Sequence, residues 1–220
     1  MKKRILQFTY SIVLRNFLKI FVGVQFHKAK FLIDEKQFII VANHNSHLDT
    51  MALMASLPSK IIHKVRPVAA ADHFGKTKRQ ARMSNFFINS LLIPRKRDKD
   101  HPGEDPVNKM LAALDEGYSL ILFPEGTRGE PEKLQPLKPG IGIILSKRPH
   151  IKYVPVFMNG MGKAMPKGDN LIVPYTAKLV YGKPTEIKST DVAAIVKQVE
   201  DDLLELKDKV NLPTRQSQEE

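Results

Sequence analysis

From Phe38 onward the chain alternates short runs of large apolar residues with longer stretches in which apolar positions recur every three or four residues. The short runs, Phe38–Ala42, Pro67–Ala71, Leu91–Pro94, Ser119–Pro124, Ile151–Phe157 and Ala177–Tyr181, predict strands buried on at least one face. Helical patterns lie between them. The clearest spans 105 to 117, with Asp105 as N-cap, Pro106 at the first helical position, Val107, Met110, Leu111 and Leu114 on one side, and Gly117 past the end. A shorter pattern covers Ile141 to Leu145, and a closing one opens at Asp191 with Ile195, Val199, Leu203, Leu206 and Val210 in one stripe. Strands alternating with helices predict an α/β fold: one layered domain with a largely parallel central sheet flanked by helices.

The first thirty residues follow a different rule. Ile5 to Phe26 is rich in Ile, Leu, Val and Phe, but Arg15 and Lys19 interrupt it, so a run of about 18 uncharged apolar residues is missing and a spanning helix is not expected. Gln7, Ser11, Arg15 and Lys19 recur at i, i+4, while Tyr10, Leu14, Phe17 and Phe21 occupy another side. That pattern predicts an amphipathic helix lying at a membrane interface, its cations meeting anionic lipid. MKKR followed by apolar residues also resembles the start of a signal peptide, but a convincing small-x-small cleavage site does not follow. The expected organisation is a membrane-interface helix over 1–30, the α/β domain over 31–213 and a polar tail over 214–220.

Charge sharpens the choice of partner. Across 220 residues, 35 Lys and Arg against 23 Asp and Glu leave a formal charge of +12, which favours a polyanion or an anionic surface. Residues 1 to 30 carry Lys2, Lys3, Arg4, Arg15, Lys19, Lys28 and Lys30 and no acid. With no Trp and aromatics at 7%, base-stacking platforms for nucleic acid are poorly supported, which leaves the membrane. The absence of cysteine excludes disulfides, thiolate metal sites and a Cys nucleophile.

In open α/β sheets ligands bind beyond the carboxyl ends of strands, and three such positions are chemically loaded. Phe38–Ala42 is followed by Asn43-His44-Asn45-Ser46-His47-Leu48-Asp49, Leu91–Ile93 by Pro94-Arg95-Lys96-Arg97, and Ser119–Phe123 by Pro124-Glu125-Gly126-Thr127-Arg128. Imidazole is the side chain suited to taking a proton near neutral pH, and Asp49 can orient that of His44. Five residues on a straight helix would leave the two about 140° apart, so their pairing requires a bend from loop to helix. Arg95 and Arg128 suit a bidentate grip on a phosphate, and Lys138-Pro139-Gly140 opens the next helix beside them. His44, His47 and Asp49 are also a conceivable metal cluster, although an H-x-H-x-D ligand pattern would need His where Asn45 stands.

Taken together and in order, these segments resemble the glycerolipid acyltransferase family that includes bacterial 1-acyl-glycerol-3-phosphate acyltransferases. The similarity covers about Phe38 to Gly182. The family's NHxxxxD block is Asn43 to Asp49, its FPEGTR block is complete from Phe123 to Arg128, and its apolar V-P-V is Val154-Pro155-Val156. The block ending in Arg is matched by Leu91-Leu92-Ile93-Pro94-Arg95, with Pro94 where the family often has Asp or Asn. The resemblance implies that His44 is the general base and Asp49 its orienting partner. It further implies that Arg95, Glu125, Gly126, Thr127, Arg128 and Lys138 bind the acceptor and that Val154, Pro155 and Val156 belong to the acyl pocket. The implied reaction moves an acyl group from acyl-CoA or acyl carrier protein to the free hydroxyl of a lysophospholipid such as 1-acyl-glycerol-3-phosphate. Neither a cofactor nor a metal is expected. The implied setting is the cytoplasmic face of the inner membrane, with monotopic or peripheral attachment.

Overall fold

Alternation of strand and helix along the chain builds a seven-stranded sheet in the order β1-β7-β6-β2-β5-β3-β4 in the computed structural model. The structure describes residues 1–26, 29–71, 88–94, 105–131, 133–165 and 172–211. The strands are β1 (Val24–Gln25), β2 (Phe38–Ala42), β3 (Val65–Ala70), β4 (Leu91–Ile93), β5 (Ser119–Leu122), β6 (Lys152–Asn159) and β7 (Ala177–Tyr181). β6, β2, β5, β3 and β4 run parallel. β7 joins β6 antiparallel and β1 joins β7 parallel, so one edge of the sheet is reversed. The two-residue β1 is too short to stand out in the sequence, and it exists because Gly23 turns the chain at φ +85° beside Tyr175.

Helices cover both faces. On one lie α1 (Lys2–Val22) and α2 (Asp49–Ser56), where Leu6, Tyr10, Leu18 and Val22 share a core with Ile40, Ala42, Leu53, Met54 and Val154. On the other lie α3 (Pro106–Asp115), α4 (Gly140–Lys147) and, after the one-turn α5 (Met161–Ala164), α6 (Val192–Asn211). There Met110, Leu111, Ile144, Val199 and Leu203 pack on Ile39, Val41, Leu120 and Leu122. β2 is buried on both faces, as the continuous apolar run Phe-Ile-Ile-Val-Ala requires. Asp105 caps α3 as expected, accepting from the N–H groups of Val107 and Asn108.

α1 departs from the expected pattern in two ways. By length and composition Lys2–Val22 is long and apolar enough to cross a membrane, because Arg15 and Lys19 do not outweigh the aliphatic content of the stretch they interrupt. Part of its polar row is also taken up by the domain: Gln7 donates to Ser59 O, and Arg15 donates to Ala55 O and Leu57 O, whereas Lys19 is exposed. Tyr10 is buried and Leu14 and Phe17 pack on the core, while Phe21 points outward with Phe8, Ile12, Val13 and Ile20. The reason is local geometry. Thr9–Leu14 and Leu18–Val22 are π-helical, and their wider turns rotate the faces away from the 3.6-residue period. The tail 214–220 lies outside the described residues.

Candidate active site

β2 and β5 are neighbours in the sheet, so the turns that leave their carboxyl ends meet. After β2 the chain runs through a loop and does not become helical until Asp49, the bend that the spacing required. Asn43 anchors the loop to β6: its amide donates to Met158 O at 2.9 Å and accepts from Met158 N at 2.7 Å. The bend returns Asp49 under His44, with His44 Nδ1 and Asp49 Oδ2 2.9 Å apart. The same oxygen accepts the backbone N–H groups of Asn45 at 2.7 Å and Ser46 at 2.8 Å. Asp49 is wholly buried, whereas the His44 side chain keeps 20% of its surface exposed and lines a cleft. With Nδ1 held by the carboxylate, Nε2 is the nitrogen left for a substrate.

Phe123, immediately after β5, stacks on the imidazole with ring centroids 4.1 Å apart. The turn that follows needs Gly126 at φ +72°, and a Cβ there would come within 2.5 Å of Lys138 Nζ. Glu125 does not face the cleft as the substrate-binding role required. It is buried, and its two oxygens accept the N–H groups of His44 at 2.6 Å and Gln135 at 2.9 Å. Burial pushes its carboxyl above the ordinary range, and these two donors pull part of the way back. Glu125 therefore ties the turn after β5 to the loop after β2. Gly129 N adds a second tie to His44 O at 2.9 Å.

The cleft has a volume of about 570 Å³ and two characters. His44, His47, Thr127, Arg128 and Lys138 form its polar part, and Arg128 is in contact with His47 Nε2. Val68, Ile93, Met110, Ile141 and Ile144 form apolar walls between the sheet and helices α3 and α4. Val154, Pro155 and Val156 are not among these walls. They are buried inside β6, where strand packing occupies them. His47 turns to Arg128 while Asp49 is taken up by His44 and two backbone donors, so the three side chains do not converge on one centre. Among the described residues, three or more His, Asp or Glu side chains do not gather as a ligand set. Arg95 and its basic neighbours lie outside the described residues.

Phe123, Asn43 and the apolar walls are contributions that sequence reasoning passed over. An aromatic residue at the carboxyl end of β5 was a usable signal for Phe123. The walls had none, because Val68 and Ile93 meet Ile141 and Ile144 only through the order of the strands.

Comparison with known proteins adds independent findings. Residues 23–174 match the family model described as Acyltransferase. The chain is 24% identical over 164 residues to the chloroplastic 1-acyl-sn-glycerol-3-phosphate acyltransferase LPAT1 of Arabidopsis thaliana, covering 70% of this chain and 41% of that protein. It is 29% identical over 144 residues to the protein named Taffazin of Dictyostelium discoideum, covering 60% of this chain and 48% of that protein. The chain thus spans less than half the length of these curated relatives. Its fold resembles the crystal structure of the 1-acyl-sn-glycerophosphate acyltransferase PlsC from Thermotoga maritima, with a TM-score of 0.71 at 20% identity, covering 96% of this chain and 80% of that one.

Proposed function

Since the chain belongs to the acyltransferase family, we propose that its cleft transfers an acyl group from a thioester to the free hydroxyl of a lysophospholipid, with 1-acyl-glycerol-3-phosphate as acceptor and phosphatidic acid as product. The observation that carries the reading is the His44 Nδ1 contact with buried Asp49 in a cleft that also holds Arg128 and Lys138. Asp49 fixes the tautomer that leaves Nε2 as proton acceptor and stabilises the imidazolium that forms. As His44 Nε2 takes the hydroxyl proton, the acceptor oxygen attacks the thioester carbonyl carbon. The tetrahedral intermediate collapses with cleavage of the C–S bond, and the imidazolium returns its proton to the departing thiolate. No group on the protein becomes acylated.

Arg128 and Lys138 supply positive charge for the acceptor's phosphate, and Arg95 remains part of that proposal from the motif it completes. The apolar walls of Val68, Ile93, Met110, Ile141 and Ile144 suit an acyl chain. Phe8, Ile12, Ile20 and Phe21 of α1 are 58%, 51%, 71% and 59% exposed, an apolar surface suited to resting in one leaflet while the opposite side of the helix stays packed on the domain. This supports monotopic attachment, and the exposed Lys3, Arg4 and Lys19 of the same helix favour anionic lipid as the membrane partner.

The test is turnover of 1-acyl-glycerol-3-phosphate and of lysophospholipids with larger headgroups, each with acyl-CoA and acyl carrier protein donors. His44→Ala is expected to lower kcat/KM about 10²- to 10⁴-fold while the protein stays folded and vesicle-bound. Near-normal turnover in that variant would refute the base assignment, and an active wild type that ignores phosphate-terminated acceptors would move the specificity to another lysolipid.

A further inference from the structure

Arg15 sits in α1, yet its guanidinium serves α2. Nε donates to Ala55 O at 2.7 Å and a terminal nitrogen donates to Leu57 O at 3.3 Å. These carbonyls lie at and just beyond the end of α2, where no further turn supplies N–H donors and the helix dipole is negative. The guanidinium also lies over the Phe26 ring, 5.7 Å from its centroid. Next to these carbonyls Ser56 shares a 2.5 Å hydrogen bond with Tyr181 on β7.

The first residue of α2 is Asp49, the partner of His44. α2 has eight residues and so spans about 12 Å, a strut short enough to move as a unit. Leu53 and Met54 of this strut share a core with Leu6, Tyr10 and Leu18 of α1. A shift at the Arg15 end is therefore delivered to the carboxylate that orients the imidazole.

We propose that Arg15 is a positioning residue for the His44–Asp49 pair, locking the helix that begins at Asp49 against α1 so that the imidazole is oriented only when α1 is seated. The proposal rests on the acyl-transfer reading of that pair. It gives α1 a part in turnover that is separate from attachment to lipid.

Arg15→Met keeps most of the aliphatic stem and removes every donor. Its kinetics are read on a short-chain 1-acyl-glycerol-3-phosphate held below micelle formation, so that vesicle binding plays no part. The expected result is a kcat about ten- to a hundredfold lower, the scale of loss for a misplaced catalytic group. KM should change by no more than about twofold, because the binding groups are untouched. In the same protein the downfield proton resonance of His44 Nδ1–H, identified by its loss in His44→Gln, is expected to move or broaden at a temperature where the fold is intact. Arg15→Lys, which retains a cation and a donor, is expected to restore part of both readouts.

A wild-type kcat with an unmoved resonance overturns the proposal, and so does a loss confined to vesicle binding. If Arg15→Met does not fold, Arg15→Gln, which loses the charge and shortens the reach to the carbonyls of Ala55 and Leu57, decides: a displaced resonance with lowered kcat supports the link, and wild-type values for both overturn it. The resonance reads the link whatever acceptor is used, so a His44→Ala enzyme that keeps its activity would count against acyl transfer by this pair and not against the link.

Discussion

One oxygen of Asp49 accepts from His44 Nδ1 and from two backbone N–H groups, and a carboxylate so constrained can orient an imidazole without moving itself. Glu125 works at the same scale in a different way, because its partners are the backbones of His44 and Gln135. Its titration has a sign that can be tested. Burial raises its folded-state pKa, so just above the ordinary carboxylate range the folded chain holds a proton that the unfolded chain has released. The contribution of this group to stability is fully present below the ordinary Glu value of about 4.3 and is lost as pH rises through the raised one. Glu125→Gln keeps an acceptor for one N–H and loses the other, a cost of about 1–3 kcal/mol. The stability gap between wild type and this variant, measured by denaturant titration, is expected to narrow as pH climbs through that window. A gap independent of pH would show that burial does not control the group.

Among the elements, α1 is where pattern and packing diverge. The reading of its i, i+4 polar row assumed a uniform α-helix, and the two π-helical stretches turned Arg15 inward and left Ile20 and Phe21 outside. Each outward side chain that enters a bilayer gains about 1.5–3 kcal/mol relative to water. Ile20→Glu or Phe21→Glu is accordingly expected to weaken vesicle association by about tenfold or more without lowering the melting temperature. Unchanged partition in a sedimentation assay would remove this face from the lipid contact. α3 shows the opposite case: Asp105, Pro106 and Gly117 are local signals, and the helix they bound runs as Pro106–Asp115.

At the scale of the molecule, the parallel block β6-β2-β5-β3-β4 gathers every loaded strand end at one edge, and α3 and α4 roof the apolar half of the cleft. On the proposed reading, in which the apolar half holds the acyl chain, chain-length preference is set by that roof. Met110 is 6% exposed and lines the wall, so Met110→Trp shortens the space available to an acyl chain. Discrimination against one surplus methylene is worth about 1–3 kcal/mol, so the ratio of kcat/KM for long over short acyl donors is expected to fall about tenfold or more. An unchanged ratio would place the acyl chain elsewhere.

Strands β2 to β7, the capped helix α3 and the loaded strand ends carrying His44 and Glu125 were legible in the sequence because each depends on local rules: burial of β-branched runs, capping chemistry and the placing of polar residues just beyond a strand. Proximity was not. That Glu125 would spend both oxygens on backbone donors, that the V-P-V run would be enclosed in β6, and that Val68 and Ile93 would form the apolar wall all follow from strand order and burial. Arg15 marks the boundary most clearly: its charge is written in the chain, but whether that charge meets lipid or the end of a helix is decided by the phase of α1 against the packed core.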